Sequence, residues 1–150
     1  MSKLLKTILD IQATNPQLAL CGSAALIFAG LLPTRPIGDL DFVINKRDVD
    51  ALQGIYNLRA DVYPEQKDDR YQSYHGNWSF SGLFTGLKIN LLVFNDDILL
   101  TSEAVIFEGE HIKVQTLDNV LKWKEKYNRL KDIKDLNDIT TKAVQDILLS

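Results

Sequence analysis

The sequence predicts an α/β (α+β) fold, a mixed β-sheet flanked by helices, with helical segments towards both ends of the chain. Two periodicities carry the prediction. Apolar residues recur every three or four positions at Leu4, Leu5, Ile8, Leu9 and Ile11, and again from Val120 onward, which is the spacing of one helix face. Between them lie runs such as Asp39 to Ile44, Leu87 to Phe94 and Ala104 to Gln115, which have the alternation or aliphatic continuity of strands. No internal repeat or linker-like stretch divides the 150 residues, so a single domain over 1–150 is expected.

Ser2 is placed to cap the first helix, and Asn15-Pro16 ends it. Gln17 to Cys21 reads as a short strand that turns at Gly22-Ser23 into a helix closed by Pro33. A loop containing Arg35 leads to the strand Asp39-Leu40-Asp41-Phe42-Val43-Ile44. Asn45 then caps a helix over 46–58, with Val49, Leu52, Ile55 and Tyr56 facing inward. Residues 60–72 are polar and are expected to form a loop. Trp78 to Phe84 and Leu87 to Phe94 are expected to pair as a hairpin. A second hairpin joins Ala104–Glu108 to His111–Gln115 through Gly109-Glu110, whose leading glycine suits a type II′ turn. Thr116 or Asp118 caps a helix with Val120, Trp123, Tyr127 and Leu130 on one face. The final helix is expected to bury Ile133, Leu136, Ile139, Ala143, Ile147 and Leu148.

With 45% hydrophobic and 25% charged residues the composition is that of a globular protein and excludes disorder and collagen-like repeats. The one cysteine, Cys21, lies in an apolar run and has no internal disulfide partner, which predicts a small buried hydrophobe in a reducing compartment. No stretch approaches the roughly 20 apolar residues of a membrane span, so a cytoplasmic location is expected. A net charge of −3 gives no broad basic face for nucleic acid.

Asp39 and Asp41 are the sharpest chemical feature. Residues two apart on a strand share a face, about 6 to 7 Å apart along the backbone, and two carboxylates so placed suit Mg²⁺. An isolated Asp-x-Asp also starts many surface strands. Gly22-Ser23, 17 residues before Asp39, stands at a strand-to-helix junction where free N–H groups attract phosphate, or where Ser23 serves as an ordinary N-cap. Phosphate and metal sites on adjoining strands are what a nucleoside triphosphate needs. Further on, residues 122–135 carry six Lys or Arg against three acids, either as a cleft border or as a solvated helix face. Arg35 similarly either orients phosphate or pairs with an acid. Tyr71, Tyr74, Trp78 and Phe80 read as core or as a base-stacking cluster. His75 and His111 have no partner at metal-ligand spacing.

The segment LALCGSAALIFAGLLPTRPIGDLDFVI, residues 18–44, resembles the signature of the polymerase-beta-like nucleotidyltransferase superfamily. Within it the chain is most similar to small bacterial and phage enzymes around the type IV abortive-infection toxin group. That group's K-x4-R-x-K-D-x2-D pattern matches Lys124, Arg129, Lys131, Asp132 and Asp135 within 117–139. The resemblance implies an NTP substrate held through Mg²⁺ or Mn²⁺ on Asp39 and Asp41, with Gly22 and Ser23 gripping phosphate. It implies that Lys124 lies near the triphosphate, and Arg129 and Lys131 of the same pattern, with Arg35 before Asp39, are the further candidates for nucleotide binding. It implies transfer of a nucleoside monophosphate to a tRNA or protein hydroxyl, and a place in toxin–antitoxin or phage-defence systems with a cognate partner.

One departure stands out. The third carboxylate of complete members falls in a segment like K-I-D, and here the matching segment is Lys88-Ile89-Asn90. An amide can ligate a metal but cannot accept a proton from a hydroxyl. Asp96 or Asp97 substitutes for it, or the site works with two carboxylates, or the domain is a catalytically silent nucleotide-binding or protein-interaction module.

Overall fold

A computed structural model describes residues 2–14, 16–32, 36–48, 59–60, 71–77, 88–94 and 100–149. Helix α1 (Lys3–Thr14) begins where the Ser2 hydroxyl accepts the Leu5 backbone N–H at 3.1 Å, an N-cap of the expected kind. Leu5, Ile8 and Ile11 are buried beneath it. Strand β1 (Ala19–Cys21) passes without a loop into α2 (Gly22–Phe28). Strand β2 (Asp39–Asn45) ends in one 3₁₀ turn, Lys46–Asp48. There follow β3 (Arg59–Ala60), β4 (Tyr71–Asn77), β5 (Lys88–Phe94), β6 (Ser102–Phe107) and β7 (Glu110–Gln115), then helices α3 (Leu117–Tyr127) and α4 (Leu130–Leu149).

Among the described residues the strands form one mixed sheet in the order β3-β4-β5-β2-β1-β7-β6. β2 runs parallel to β5 and antiparallel to β1, while β1 runs parallel to β7. The period of two divides each central strand between two faces. Leu40, Phe42, Ile44, Ile89, Leu91 and Val93 join the larger core with residues of α1 and α2. Val43 and Phe94 turn the other way, with Ala19 and Cys21, and pack with Trp123 of α3. The Phe94 and Trp123 rings meet edge-on with centroids 5.9 Å apart. Gln12 fastens α1 to the sheet by accepting the Lys113 N–H at 3.0 Å and donating to the Lys113 carbonyl at 2.6 Å.

Four local expectations need correction. β4, rather than 78–84, pairs with β5, from Tyr71↔Phe94 to Asn77↔Lys88. It begins inside the stretch read as a loop, because backbone pairing does not require an apolar sequence. Residues 78–84 lie outside the described residues, as do 49–58; of the helix expected over 46–58 only Lys46–Asp48 is described, and it forms a 3₁₀ turn. The β6–β7 hairpin turns at Glu108-Gly109, one residue early, with φ of 51° and 79°. Two successive positive φ values mark a type I′ rather than a type II′ turn, and its twist suits the flanking strands. Finally, Asn128 ends α3 in the left-handed region at φ 48°, so Leu130 belongs to the next helix and is 87% exposed. The stripe expected to be buried along α4 is largely turned outward, with Ile147 and Leu148 exposed, whereas Asp132 and Asp135 are wholly buried. α3 is 11 residues long against 20 for α4, too short to cover the last turns of its neighbour.

Candidate active site

The site forms where β1 gives way to α2 beside the start of β2. Cys21 and Asp41 are register partners across β1 and β2, which brings the next residue, Gly22, against the Asp41 side chain. Gly22 has φ +65°, and a Cβ there would stand 3.0 Å from Asp41 Oδ2. Glycine is required on both counts, for the left-handed backbone and for the close approach. Asp39 and Asp41 share a sheet face, and Asn90 of β5 is the register partner of Asp41. The Asn90 amide Nδ2 donates to Asp39 Oδ2 at 3.0 Å and to Asp41 Oδ1 at 2.7 Å. Asn90 is 9% exposed, and its Oδ1 is buried without a hydrogen-bond partner.

This crowding shows in the electrostatics. Burial raises the Asp41 pKa; the Asn90 hydrogen bond opposes the rise, the Asp39 charge adds to it, and Lys131 and Lys124 counter it. Burial also pushes the Cys21 thiol up, with the Asp41 charge reinforcing and Lys124 opposing. The thiol is therefore a poor nucleophile. The same register carries on to His75 of β4, the backbone partner of Asn90. Sequence reasoning missed this alignment because only strand pairing reveals it.

A second cluster lies behind the Gly22 turn. Ser23 is not an N-cap; Cys21 holds that position with no side-chain cap bond. The Ser23 hydroxyl donates to Asp135 Oδ2 at 2.8 Å and accepts from Lys124 Nζ at 3.1 Å. Lys124 Nζ lies 3.0 Å from Asp135 Oδ2 and 3.4 Å from Asp132 Oδ1, and all three side chains are buried. Arg129 binds Asp132 through its Nε at 2.7 Å, its Nη2 at 3.2 Å and its backbone N–H at 3.1 Å. This last bond, from a carboxylate three residues into α4 back to the residue before the helix, is half of a capping box. Two cations and two anions thus form a neutral group, the condition on which buried charges are tolerated.

Of the residues singled out from sequence, Asp39, Asp41, Asn90 and Gly22 come together, with Ser23 and Lys124 adjoining. Arg129 faces Asp132. Lys131 is exposed on α4, and its charge acts on Asp41. Arg35, Asp96 and Asp97 lie outside the described residues. Asp132 and Asp135 complete the buried cluster, although their spacing alone reads as a solvated helix face.

Three solved structures share this architecture at low sequence identity. TM1012 from Thermotoga maritima, a proposed nucleotidyltransferase, superposes with a TM-score of 0.58 at 15% identity, over 93% of this chain and 92% of its own. ANT(2″)-Ia, solved in complex with adenylyl-2″-tobramycin, gives 0.62 at 10% identity, over 97% and 91%. An antigenic nucleotidyltransferase-like protein from Paracoccidioides brasiliensis gives 0.52 at 18% identity, over 92% and 73%. The fold is that of nucleotidyltransferases. No protein-family model and no curated protein matches the sequence.

In a nucleotidyltransferase fold the Asp-x-Asp strand implies a divalent cation. Among the described residues no group of three or more His, Cys, Asp or Glu is assembled to hold one. The donors present are two carboxylates and an amide. One oxygen from each carboxylate lies within 3.0 Å of a single point, the Asn90 nitrogen. Two converging carboxylate oxygens, with water and phosphate completing the shell, are a donor set that magnesium accepts. The residues therefore fit the cation. Among the described residues no helix is long and apolar enough to cross a membrane.

Proposed function

We propose that this domain is a cytoplasmic, magnesium-dependent nucleotidyltransferase that moves a nucleoside monophosphate from an NTP to a hydroxyl of an RNA, such as a tRNA, or of a protein. The observation that carries this reading is the convergence of Asp39 and Asp41 beside the Gly22 turn. The adenylylated molecule bound to ANT(2″)-Ia, a protein of the same fold, supports the reaction class. Asp39 and Asp41 hold the cation; when bound, it neutralises charge on the transferring phosphoryl group. The acceptor oxygen forms a bond to the α-phosphorus, the bond to pyrophosphate breaks, and the hydroxyl proton leaves to solvent. Gly22 lets the chain come close to the reacting centre, Ser23 ties the start of its helix to Asp135 and Lys124 behind the turn, and Lys131, with Arg35, supplies positive charge. Lys124 and Arg129 act from behind, through their carboxylate partners.

The test incubates each α-labelled NTP with magnesium or manganese and a lysate containing RNA and protein. Label on one acceptor class with the wild type, and none with Asp39→Ala/Asp41→Ala, is the expected result. Label that persists in the double variant overturns the assignment. A second reading is favoured by Asn90 and by the engagement of Lys124 and Arg129 in ion pairs. In this reading the domain is a silent nucleotide-binding or protein-interaction module of a toxin–antitoxin or phage-defence system. NTP binding with no transfer selects it.

A further inference from the structure

The Asn90 amide occupies the position where charge in this site is most concentrated. Its Nδ2 lies 3.0 Å from Asp39 Oδ2 and 2.7 Å from Asp41 Oδ1, and its own Oδ1 is buried without a partner. A buried carbonyl oxygen left without a hydrogen bond is costly. The orientation persists because the alternative is worse. With Oδ1 toward the carboxylates, three oxygens would face one another with no positive charge between them. The amide hydrogens therefore supply the partial positive charge that two converging carboxylates require.

We infer that Asn90 is a positioning residue that stands in for the cation, holding Asp39 and Asp41 converged while none is bound and turning Oδ1 toward them when one arrives. A bound cation removes the repulsion that keeps Oδ1 outward and gives that oxygen a partner. An aspartate at position 90 would behave oppositely. It would bring a third negative charge to the same point, destabilising the cation-free protein and binding a cation more tightly. Asn90 thus trades cation affinity for a site that stands assembled without one. The inference rests on the nucleotidyltransferase reading for its choice of cation.

The experiment follows the melting temperature of wild type, Asn90→Asp and Asn90→Ala after chelator treatment and across a magnesium titration, with manganese as a second probe and no nucleotide. Without cation, Asn90→Asp is expected to melt several degrees below wild type. Its magnesium midpoint is expected to fall at least about tenfold below that of wild type, as one added charge close to a cation should produce. Equal stability without cation, or equal magnesium midpoints, overturns the inference. If Asn90→Asp folds under neither condition, Asn90→Ala decides. A loss of stability that saturating magnesium reduces supports the inference, and a loss unchanged by magnesium overturns it. A wild type that behaves as expected here but transfers no nucleotide overturns only the proposed function. A wild type that transfers nucleotide while Asn90→Asp is indifferent to magnesium overturns only this inference.

Discussion

A methyl group at position 22 meets two obstacles at once, a backbone at φ +65° and the Asp41 carboxylate 3.0 Å away. The left-handed backbone alone costs roughly 1–2 kcal/mol for a residue with a side chain. Gly22→Ala is therefore expected to lower the melting temperature by about 2–8 °C in calorimetry, at roughly 2–4 °C per kcal/mol for a chain of this size. It should also displace Asp41 and depress magnesium-dependent transfer. Asp132 offers a pH test. Burial tends to raise its pKa, but the side-chain and backbone hydrogen bonds from Arg129, with the Arg129 and Lys124 charges, outweigh it and hold the pKa below the ordinary 3.8. A carboxyl lowered on folding stabilises fully above its ordinary value, and the stabilisation fades as pH falls through the lowered one. Urea unfolding should accordingly show Asp132→Asn less stable than wild type at pH 7, with the gap closing below about pH 4. A gap that widens in acid would contradict the arrangement.

Helices α3 and α4 are held to each other, and through Ser23 to α2, by charge, while Trp123 packs on the sheet by apolar contact. Lys124→Met would remove the ammonium that Asp132 and Asp135, both fully buried, share, leaving Arg129 on Asp132. Breaking a buried pair from one side typically costs about 3–5 kcal/mol. The double variant Lys124→Met/Asp135→Leu is expected to lose less than the sum of its single variants in a denaturation cycle. Sequence reasoning read these elements unevenly, for physical reasons. The Ser2 cap, the Gly22 turn and the β2 strand were legible because their signals are local: a hydroxyl before a helix, a glycine at a junction, alternation along seven residues. β4 was not, because its polar sequence becomes a strand only through pairing with β5. The inward side of α4 was misread because Asp132 and Asp135 turn inward to meet Lys124, which lies on another helix. Asn90 could be suspected from its place after Lys88-Ile89, but its position between the two aspartates depends on the register of β2 and β5.

At the scale of the whole molecule, the two halves of α4 serve different ends. Asp132 and Asp135 secure its first turns, whereas residues 143–149 are exposed. Removing 143–149 is therefore expected to change unfolding free energy by no more than about 0.5 kcal/mol, the usual range for surface changes. Truncation before Asp132 should abolish cooperative unfolding by removing both buried carboxylates. The distance along the chain between Ser23 and Asp135 also bears on synthesis. The hydroxyl beside the Gly22 turn waits for a carboxylate 112 residues later. At a translation rate of about 5–20 residues per second, that is an interval of roughly 6 to 22 s. Through that interval the nascent chain carries Asp39 and Asp41 without the helices that close the turn behind them. A ribosome stalled in the middle of the message would thus display the acidic pair on an unfinished site, and the emergence of Asp132 and Asp135 decides when the turn behind it is closed.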